Sequence, residues 1–336
     1  MEKVRIAING FGRIGRTVTR VLQNNPAFEL VAVNDLVAAD NLAHLLKYDS
    51  VHGRFAGAIV PGQNGFTING SMVQVINEQD PSRLPWKALD IDFVIESTGR
   101  FRTSELAQAH IDAGAKHAII SAPAQDLDTP SIVMGINDDL LTGKEKIVSN
   151  ASCTTNSAAP LVKILQDNWG IEEAYISTIH SYTSDQRLHD APHSDWRRGR
   201  AAAESIVPTT TGAAKAITRI FPELEGHMGG AGIRVPVPNG SLTDLSCMLR
   251  REVSVEEINA AFKEAAHGKL RGILEYTEDP IVSRDIIGNP HSSVFDAQLT
   301  SALGRMIKVV GWYDNEWGYS NRLVDLMLNM HQLSKA

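Results

Sequence analysis

A single cysteine, Cys153, stands among small hydroxyl and amide residues in the segment Ser149–Asn156. Ile147 and Val148 before it predict the end of a strand, and Ala158–Trp169 after it has a helical pattern. We therefore expect Cys153 at or near a helix N-terminus, where free backbone N–H groups and the helix dipole favour a thiolate and can stabilise an oxyanion. A buried, inert thiol is the alternative, because free cysteines are among the most buried residues.

A glycine-rich turn near the start of the chain predicts a dinucleotide site. Gly10, Gly12 and Gly15 form G-x-G-x-x-G directly after one predicted strand and before a predicted helix. These glycines allow a tight turn, close approach to a pyrophosphate and helix–strand packing. Asn34 and Asp35 end the next strand, with Asp35 placed 20 residues past Gly15, the spacing of a carboxylate that binds ribose hydroxyls. A carboxylate there repels a 2′-phosphate, so the sequence favours NAD over NADP; the alternative is a glycine turn without a ligand.

Two more strand ends in this region carry hydroxyl side chains. Thr98 follows the strand Ile91–Glu96, and we expect it beside the adenine. Ser121 ends the strand His117–Ala122, and we expect it to face the nicotinamide. A strand-end turn that binds nothing explains Thr98 equally well.

His180 lies at the end of the strand Ala174–Ser181 and is the candidate base. A thiolate beside an imidazole is the arrangement for covalent attack on a carbonyl. With NAD, attack of Cys153 on an aldehyde gives a thiohemiacetal whose oxidation leaves a thioester, open to water or phosphate. A structural histidine is the alternative. Further on, Thr211 and Gly212 precede the helix Ala213–Ile220, an arrangement suited to an anion.

The element pattern predicts an α/β protein with two domains. Repeated strand–helix units over residues 1–150 predict a Rossmann-type, doubly wound parallel sheet. Residues 151–315 predict an α+β catalytic domain with a mostly antiparallel sheet, and helix 316–336 is expected to pack back on the first domain. The sequence also predicts a hairpin at Phe66–Ser71, a helix N-cap at Ser104, sheet strands at Ser131–Gly135 and Lys146–Val148, and a structureless polar loop at Tyr182–Arg200.

Composition narrows the class of protein. The 336 residues carry a net charge of −7 and only two cysteines. The acidic balance argues against a nucleic-acid partner, and two cysteines suit a reducing compartment. The start of the chain has no signal-peptide core, and no apolar run reaches the roughly 18 residues that span a membrane. We therefore expect a cytoplasmic protein without a membrane or nucleic-acid partner, and we predict no metal site.

The whole chain resembles the family of phosphorylating, NAD-dependent (type I) glyceraldehyde-3-phosphate dehydrogenases. The resemblance rests on six motifs: Ala7–Arg16, Lys47–Gly53, Ser149–Asn156, Ile179–Thr183, Pro208–Lys215 and Trp312–Tyr319. It implies oxidation of glyceraldehyde 3-phosphate to 1,3-bisphosphoglycerate with NAD and inorganic phosphate, in glycolysis or gluconeogenesis.

The resemblance also implies roles for individual residues. Cys153 matches the nucleophile, which passes through a thiohemiacetal and a thioester, and His180 matches the base that lowers the thiol pKa. The substrate and phosphate sites match Ser152, Thr154, Thr183, Arg198, Thr211, Gly212 and Arg234. The arginines suit phosphate because their planar fork gives bidentate hydrogen bonds.

The implied cofactor contacts add to those from the glycine turn. Together they are Gly10, Gly12, Arg13, Ile14, Gly15, Asn34, Asp35, Thr98, Ser121 and Asn315. Asn315 matches the residue that orients the nicotinamide carboxamide. Residues 182–200 match the family's S-loop, which packs near a neighbouring subunit's cofactor, so the resemblance implies a homotetramer.

Three residues depart from the family pattern. Ser157 stands where many relatives have a second cysteine, Gln79 replaces a common arginine near the adenine, and Gly240 stands where valine is usual. Two alternatives remain: the related erythrose-4-phosphate dehydrogenase, which is NAD-dependent and hydrolytic, and a non-enzymatic binding protein on the same scaffold. The intact phosphate-site residues favour the triose enzyme, and the presence of Cys153 and His180 disfavours the binding protein.

Overall fold

A computed structural model describes residues 3–335 of the chain. Residues 1, 2 and 336, which the predicted domain ranges include, lie outside the described residues. The chain forms two compact units, of which the first comprises Met1–Ile132, Asp139–Ala151 and Ser320–Ala336. The second comprises Val133–Asp138 and Ser152–Tyr319.

The first unit is built on an eight-stranded sheet. The strands of this unit are β1 (Val4–Asn9), β2 (Phe28–Asn34), β3 (Tyr48–Asp49), β4 (Gly53–Arg54), β5 (Ile59–Gly62), β6 (Gly65–Ile68), β7 (Ser71–Ile76), β8 (Phe93–Glu96), β9 (His117–Ile120) and β10 (Ile147–Ser149). Strands β3 and β4 form a separate two-stranded sheet, and the other eight form the large sheet. Its first three helices are α1 (Arg13–Leu22), α2 (Ala39–Lys47) and α3 (Ser104–Asp112).

The strand order in this sheet is β10-β9-β8-β1-β2-β7-β6-β5, and every pair from β10 to β7 is parallel. Strand β8 is buried along its whole length, as expected of a parallel sheet covered on both faces. The predicted Rossmann-type sheet is therefore confirmed. The predicted hairpin is present as β6 and β7, joined by Asn69 and Gly70, whose φ angles of 51° and 87° are those of a type I′ turn.

Two finer predictions in this part of the chain are wrong. Ser131–Gly135 is not a strand, because only Ser131 pairs, in a single bridge to Ser149. The Val133 amide instead donates to Asn137 Oδ1 at 2.8 Å, which turns the chain away from the sheet. The N-cap of α3 is Thr103 rather than Ser104, since Thr103 Oγ1 accepts a hydrogen bond from the amide of Leu106, the third residue of the helix.

The second unit also contains one large sheet. Its strands are β11 (Ile171–Ser181), β12 (Val207–Thr209), β13 (Met228–Val235), β14 (Ser241–Leu249), β15 (Leu274–Thr277), β16 (Ser293–Asp296), β17 (Ser301–Leu303) and β18 (Met306–Tyr313). The helices are α4 (Cys153–Trp169), α5 (Ala213–Ile220), α6 (Val255–His267) and α7 (Trp317–Leu333), and α7 continues into the first unit.

The strand order here is β12-β13-β11-β14-β18-β16-β15, with β17 added on β18. Only β11–β13 and β15–β16 are parallel pairs, so the predicted mostly antiparallel sheet is confirmed. Burial alternates along β14, which places one face of the sheet against α4. Residues 182–200 contain no helix or strand. Within residues 3–335, no helix is long and apolar enough to cross a membrane.

Candidate active site

The chain turns sharply before the cysteine. Ala151 has a left-handed backbone with φ of 52°, which is uncommon for a residue with a side chain. Ser152 follows as the N-cap of α4, and its Oγ accepts a hydrogen bond from the Thr155 amide at 3.0 Å. Cys153 is the first residue of this 17-residue helix. Its predicted place at a helix N-terminus is confirmed.

The structure brings the cysteine and the histidine together. Cys153 Sγ lies 3.5 Å from His180 Nε2. On the other side of the ring, His180 Nδ1 lies 2.7 Å from the carbonyl oxygen of Ser181. A carbonyl can only accept, whereas the Arg234 guanidinium, 2.8 Å from the same nitrogen, can only donate. We assign the proton to Nδ1, because the carbonyl is the nearer neighbour and accepts from Arg234 as well. The lone pair of Nε2 therefore faces the thiol, which is the arrangement required of a base.

The sheet register adds a positive charge to this pair. In the parallel pair β11–β13, Arg234 is the partner of His180. Its guanidinium Nη1 lies 2.8 Å from His180 Nδ1 and donates to the Ser181 carbonyl at 3.1 Å. Arg234 and the imidazole therefore share one acceptor, and the guanidinium charge lies directly against the ring.

Burial and this charge set the pKa values of the pair. Burial, followed by the charge of Arg234, lowers the pKa of His180 to about 3. Burial also raises the pKa of Cys153, although the charge of Arg234 and hydrogen bonds from Thr154 oppose the rise. The expectation of a lowered thiol pKa is therefore wrong for this structure, because desolvation outweighs the helix terminus and its charges. The resting pair is a neutral thiol and a neutral imidazole.

A buried tyrosine, which the sequence analysis did not single out, supports the pair. Tyr313 OH lies 2.9 Å from Thr154 Oγ1 and 2.9 Å from Thr178 Oγ1. Its ring also meets the His180 ring edge-on, with centroids 6.0 Å apart. Tyr313 thus holds the side chain of Thr154, whose hydroxyl and backbone amide both hydrogen-bond the sulfur of Cys153. No spacing in the sequence connects residues this far apart along the chain.

The residues predicted to bind inorganic phosphate include Arg198, which several neighbours hold in place. Its Nε donates to Thr209 Oγ1 at 2.9 Å, its Nη2 donates to the Thr210 carbonyl at 3.2 Å, and Asp185 pairs with its Nη1. The charge of Arg198 contributes to the lowered pKa of both His180 and Arg234, which places it in the same electrostatic environment.

The remaining predicted phosphate residues lie in turns. Thr211 Oγ1 accepts from the Ala213 amide at 3.2 Å, and Gly212 is the N-cap of α5. The Thr183 amide donates to Gln186 Oε1 at 3.4 Å. Thr209, which holds Arg198, is an addition to the predicted set.

Asn315 is held in a fixed orientation. Its Oδ1 accepts from Ser181 Oγ at 2.9 Å, from Ser241 Oγ at 2.7 Å and from the Gly240 amide at 3.3 Å. Its Nδ2 has no hydrogen-bond partner among residues 3–335. The amide therefore presents a free donor, as a residue that orients a carboxamide oxygen requires.

The predicted adenosine site corresponds to a cavity of about 280 Å³ in the first unit. Five predicted residues line it: Gly10, Gly12, Asn34, Asp35 and Thr98. Gln79 and Phe101 are also in its wall. Asp35 Oδ2 accepts from the Phe11 amide at 2.8 Å, which fixes the carboxylate beside the glycine turn.

The glycines of this turn fit a bound dinucleotide. Gly10 has φ of 91°, and a Cβ there would lie 2.7 Å from the Thr98 amide nitrogen. A Cβ on Gly15 would lie 2.5 Å from the Gly10 carbonyl oxygen, so this glycine serves packing. A Cβ on Gly12, by contrast, would meet no atom within 4 Å, which leaves open space where a pyrophosphate needs access.

Besides Asn315, four predicted cofactor residues do not line this cavity. Arg13 pairs with Asp49 at 2.7 Å, Ile14 and Gly15 lie within α1, and Ser121 directly follows β9. Burial alone would raise the pKa of Asp49. The hydrogen bonds from two backbone amides and from Arg13 outweigh this effect, and the pKa is lowered to about 2.

Comparison with known proteins agrees with this geometry. The family model "Glyceraldehyde 3-phosphate dehydrogenase, NAD binding domain" matches residues 4–104, and "Glyceraldehyde 3-phosphate dehydrogenase, C-terminal domain" matches residues 152–315. The glyceraldehyde-3-phosphate dehydrogenase of Geobacillus stearothermophilus is 54% identical over 325 residues, covering 96% of this chain and 97% of that protein. Glyceraldehyde-3-phosphate dehydrogenase 1 of Bacillus subtilis (strain 168) is 53% identical over 325 residues, with the same coverage.

A third relative, the glyceraldehyde-3-phosphate dehydrogenase of Mycobacterium avium, is 52% identical over 331 residues, covering 96% of this chain and 97% of that protein. The chain uses NAD as cofactor and oxidises glyceraldehyde 3-phosphate. It belongs to the glyceraldehyde-3-phosphate dehydrogenase family.

Proposed function

We propose that the oxidation proceeds through covalent intermediates on Cys153, with His180 as base, and yields 1,3-bisphosphoglycerate. The observation that carries this proposal is the 3.5 Å approach of Sγ to Nε2, with the opposite ring nitrogen held by the Ser181 carbonyl. A neutral imidazole with its lone pair on the thiol is ready to accept the thiol proton.

The first step forms the carbon–sulfur bond. As Sγ attacks the aldehyde carbon, Nε2 takes the thiol proton. The backbone amides of Cys153 and Thr154, which already point at the sulfur, stabilise charge that develops there. The resulting imidazolium lies against the Arg234 guanidinium and is therefore unfavourable, so it readily returns its proton to the oxygen of the former carbonyl. The product is a neutral thiohemiacetal.

The second step removes the hydroxyl proton of that intermediate, and Nε2 again accepts it. NAD supplies the hydride acceptor when it is bound. The thiohemiacetal carbon becomes the carbonyl of a thioester on Cys153. An oxygen of inorganic phosphate then attacks this carbonyl, the carbon–sulfur bond breaks, and the departing sulfur takes back the proton held by His180.

Two phosphate sites support this sequence. We assign the substrate phosphate to Thr183 and Arg234, and inorganic phosphate to Arg198, Thr211 and Gly212, with Ser152 and Thr154 beside the reacting carbon. Asp185 now pairs with Arg198. An incoming phosphate takes the place of this carboxylate, since it offers the same fork of acceptors.

The domain roles follow the same division. Residues 1–150 with helix 316–336 act as the NAD-binding domain, and residues 151–315, including the S-loop at 182–200, act as the catalytic domain. Asp35 in the cavity wall supports a preference for NAD. The ten predicted cofactor residues are retained in this proposal.

A cytoplasmic homotetramer is also part of the proposal. In the S-loop, Trp196 is 88% exposed and Leu188 is 72% exposed. Large apolar side chains at such exposure favour burial against another subunit. Light scattering after size exclusion would give about four times the 36.6 kDa chain mass; a monomer would contradict the assembly.

One experiment tests the reaction assignment. NADH formation is measured with glyceraldehyde 3-phosphate and with erythrose 4-phosphate, each with and without inorganic phosphate. Strong phosphate-dependent activity on the triose is expected, because the residues that we assign to both phosphate sites are present. Phosphate-independent activity that prefers erythrose 4-phosphate would instead assign the hydrolytic alternative, and no activity on either would favour a binding protein.

A further inference from the structure

A buried carboxylate at the end of β8 connects several residues of the first unit. Glu96 is 1% exposed. Its Oε1 accepts from the Thr98 amide at 2.8 Å and from Thr98 Oγ1. Its Oε2 accepts from Asn9 Nδ2 at 2.6 Å and from His110 Nε2 at 3.0 Å. All four contacts are donors, so both oxygens act only as acceptors.

The histidine in this network has a defined tautomer. Trp86 Nε1 lies 3.1 Å from His110 Nδ1, and an indole nitrogen can only donate. His110 Nδ1 therefore accepts, and its Nε2 carries the proton that it donates to Glu96. Trp86 and His110 are both fully buried, and neither lines the cavity.

The other side of the network reaches the cavity wall. Asn9 and Thr98 line the cavity, whereas Glu96 itself does not. Asn9 Oδ1 accepts from Asn34 Nδ2 at 2.7 Å, and the Asn34 side chain in turn bonds the backbone of Glu78 at 2.8 and 2.9 Å. Four residues of the wall are thus fixed to Glu96, directly or through a short chain of hydrogen bonds.

The glycine turn depends on the same carboxylate. The Gly10 backbone packs so closely on Thr98 that a Cβ there would be 2.7 Å from its amide nitrogen. Ser97 Oγ donates to the Gly10 carbonyl at 2.6 Å. Glu96 holds the Thr98 amide, so displacement of Thr98 would also displace the turn that receives the pyrophosphate.

We propose that Glu96 is a positioning residue for the adenosine half of NAD, and that His110 and Trp86 fix its orientation. This inference rests on the proposed cofactor site. Glu96 acts through Asn9, Asn34 and Thr98 and contacts neither substrate nor the Cys153 centre. It sets cofactor affinity and leaves the chemical step unchanged.

Glu96→Gln tests this role most directly, because glutamine has nearly the same size as glutamate. In either orientation of the new amide, its NH₂ group faces two donors, either those of Thr98 or those of Asn9 and His110. Affinity for NAD and for ADP-ribose, measured by calorimetry, should fall at least about tenfold, since buried donors lose their acceptor. The KM for NAD should rise in parallel, while kcat at saturating NAD stays near the wild-type value.

Trp86→Phe provides a second variant if Glu96→Gln fails to fold. It keeps an apolar ring but removes the donor that fixes the His110 tautomer, and a smaller loss of ADP-ribose affinity is expected. Glu29→Gln is the matched control. Glu29 is a carboxylate near the start of β2, partly exposed and paired with Arg5 at 3.3 Å, and it does not line the cavity.

The outcomes separate this inference from the proposed reaction. ADP-ribose affinity unchanged in folded Glu96→Gln, or lowered equally in Glu29→Gln, would overturn the positioning role. A kcat that falls with unchanged KM would overturn it as well. Failure of the wild-type protein to oxidise the triose would count against the proposed function alone, because the binding measurements need no substrate.

Discussion

At the scale of single residues, Gly240 shows why a departure from the family pattern is tolerated here. Gly240 has φ of 91°, and a Cβ at this position would lie 2.3 Å from the Ser283 carbonyl oxygen. Its amide donates to Asn315 Oδ1. Glycine therefore relieves strain at a backbone position that helps to orient Asn315.

Gly240→Ala should destabilise the protein more than Gly226→Ala. Both glycines have positive φ, but a Cβ on Gly226 would meet no atom within 4 Å. The control should cost about 1 kcal/mol from backbone strain, and Gly240→Ala about 2 kcal/mol more from the clash. Urea unfolding measures both changes. Equal losses would mean that the Ser283 backbone moves aside without cost.

The two cysteines offer a comparison of reactive and structural thiols. Cys153→Ser should lower triose oxidation by about 10³-fold or more while NAD binding persists, because the weaker nucleophile remains beside the same base. Cys247 is buried in β14, and burial raises its pKa to about 12. Cys247→Ser should therefore retain activity. Retained turnover in Cys153→Ser would exclude the covalent mechanism.

Ser157 also has a structural explanation. It is fully buried, and its Oγ lies 3.0 Å from Thr243 Oγ1 and 3.4 Å from Ser293 Oγ. This hydroxyl cluster ties α4 to β14 and β16. The serine is thus part of the packing between helix and sheet, and it leaves Cys153 without a thiol one helical turn away.

At the scale of elements, register explains the electrostatics of the site. Strand β13 lies beside β11 with Arg234 directly opposite His180. The guanidinium lowers the pKa of His180 and also opposes the rise in the pKa of Cys153. A single strand pairing therefore tunes both reacting groups.

Arg234→Gln should raise the pKa of both groups. The rate of Cys153 alkylation by iodoacetamide, measured against pH without substrate, should shift to higher pH by about 1 unit or more. Arg197→Gln is the control, since Arg197 is exposed and does not act on either group. A shift to lower pH would contradict the assigned role of the Arg234 charge.

Local patterns predicted much of this architecture. The strand–glycine–helix unit, the Asn69–Gly70 hairpin and the helix start at Cys153 each depend on neighbours in sequence, so residue order was sufficient to predict them. The apolar residues of Ser131–Gly135 predict a strand, but they do not reveal that Asn137 accepts a hydrogen bond from the Val133 amide. Tyr313 acquires its role through partners far along the chain, and Glu96 acquires part of its role through the distant Asn9, which no local pattern specifies.

At the scale of the whole molecule, the buried histidine makes stability depend on pH. His180 has a pKa of about 3 in the folded protein, against an ordinary value of 6.5. Between these values the unfolded chain binds a proton that the folded protein does not, so stability is lost as pH falls through this window. The slope is about 1.4 kcal/mol per pH unit for one proton.

His180→Asn should flatten the dependence of the urea midpoint on pH between about 4 and 6. His227→Gln, at an exposed position, should leave the wild-type slope unchanged. An unaltered slope in His180→Asn would show that other groups dominate acid unfolding.

The two units are built from different numbers of chain segments. The first unit is drawn from three separate segments, and the last begins at Ser320, after the whole second unit has passed. Leu323, Met327 and Met330 of that segment are buried. These residues are synthesised last, so we expect the early strands to expose apolar surface until the end of α7 emerges from the ribosome. We therefore expect a chain that terminates early within α7 to leave this surface uncovered, which would mark it as an unfinished copy.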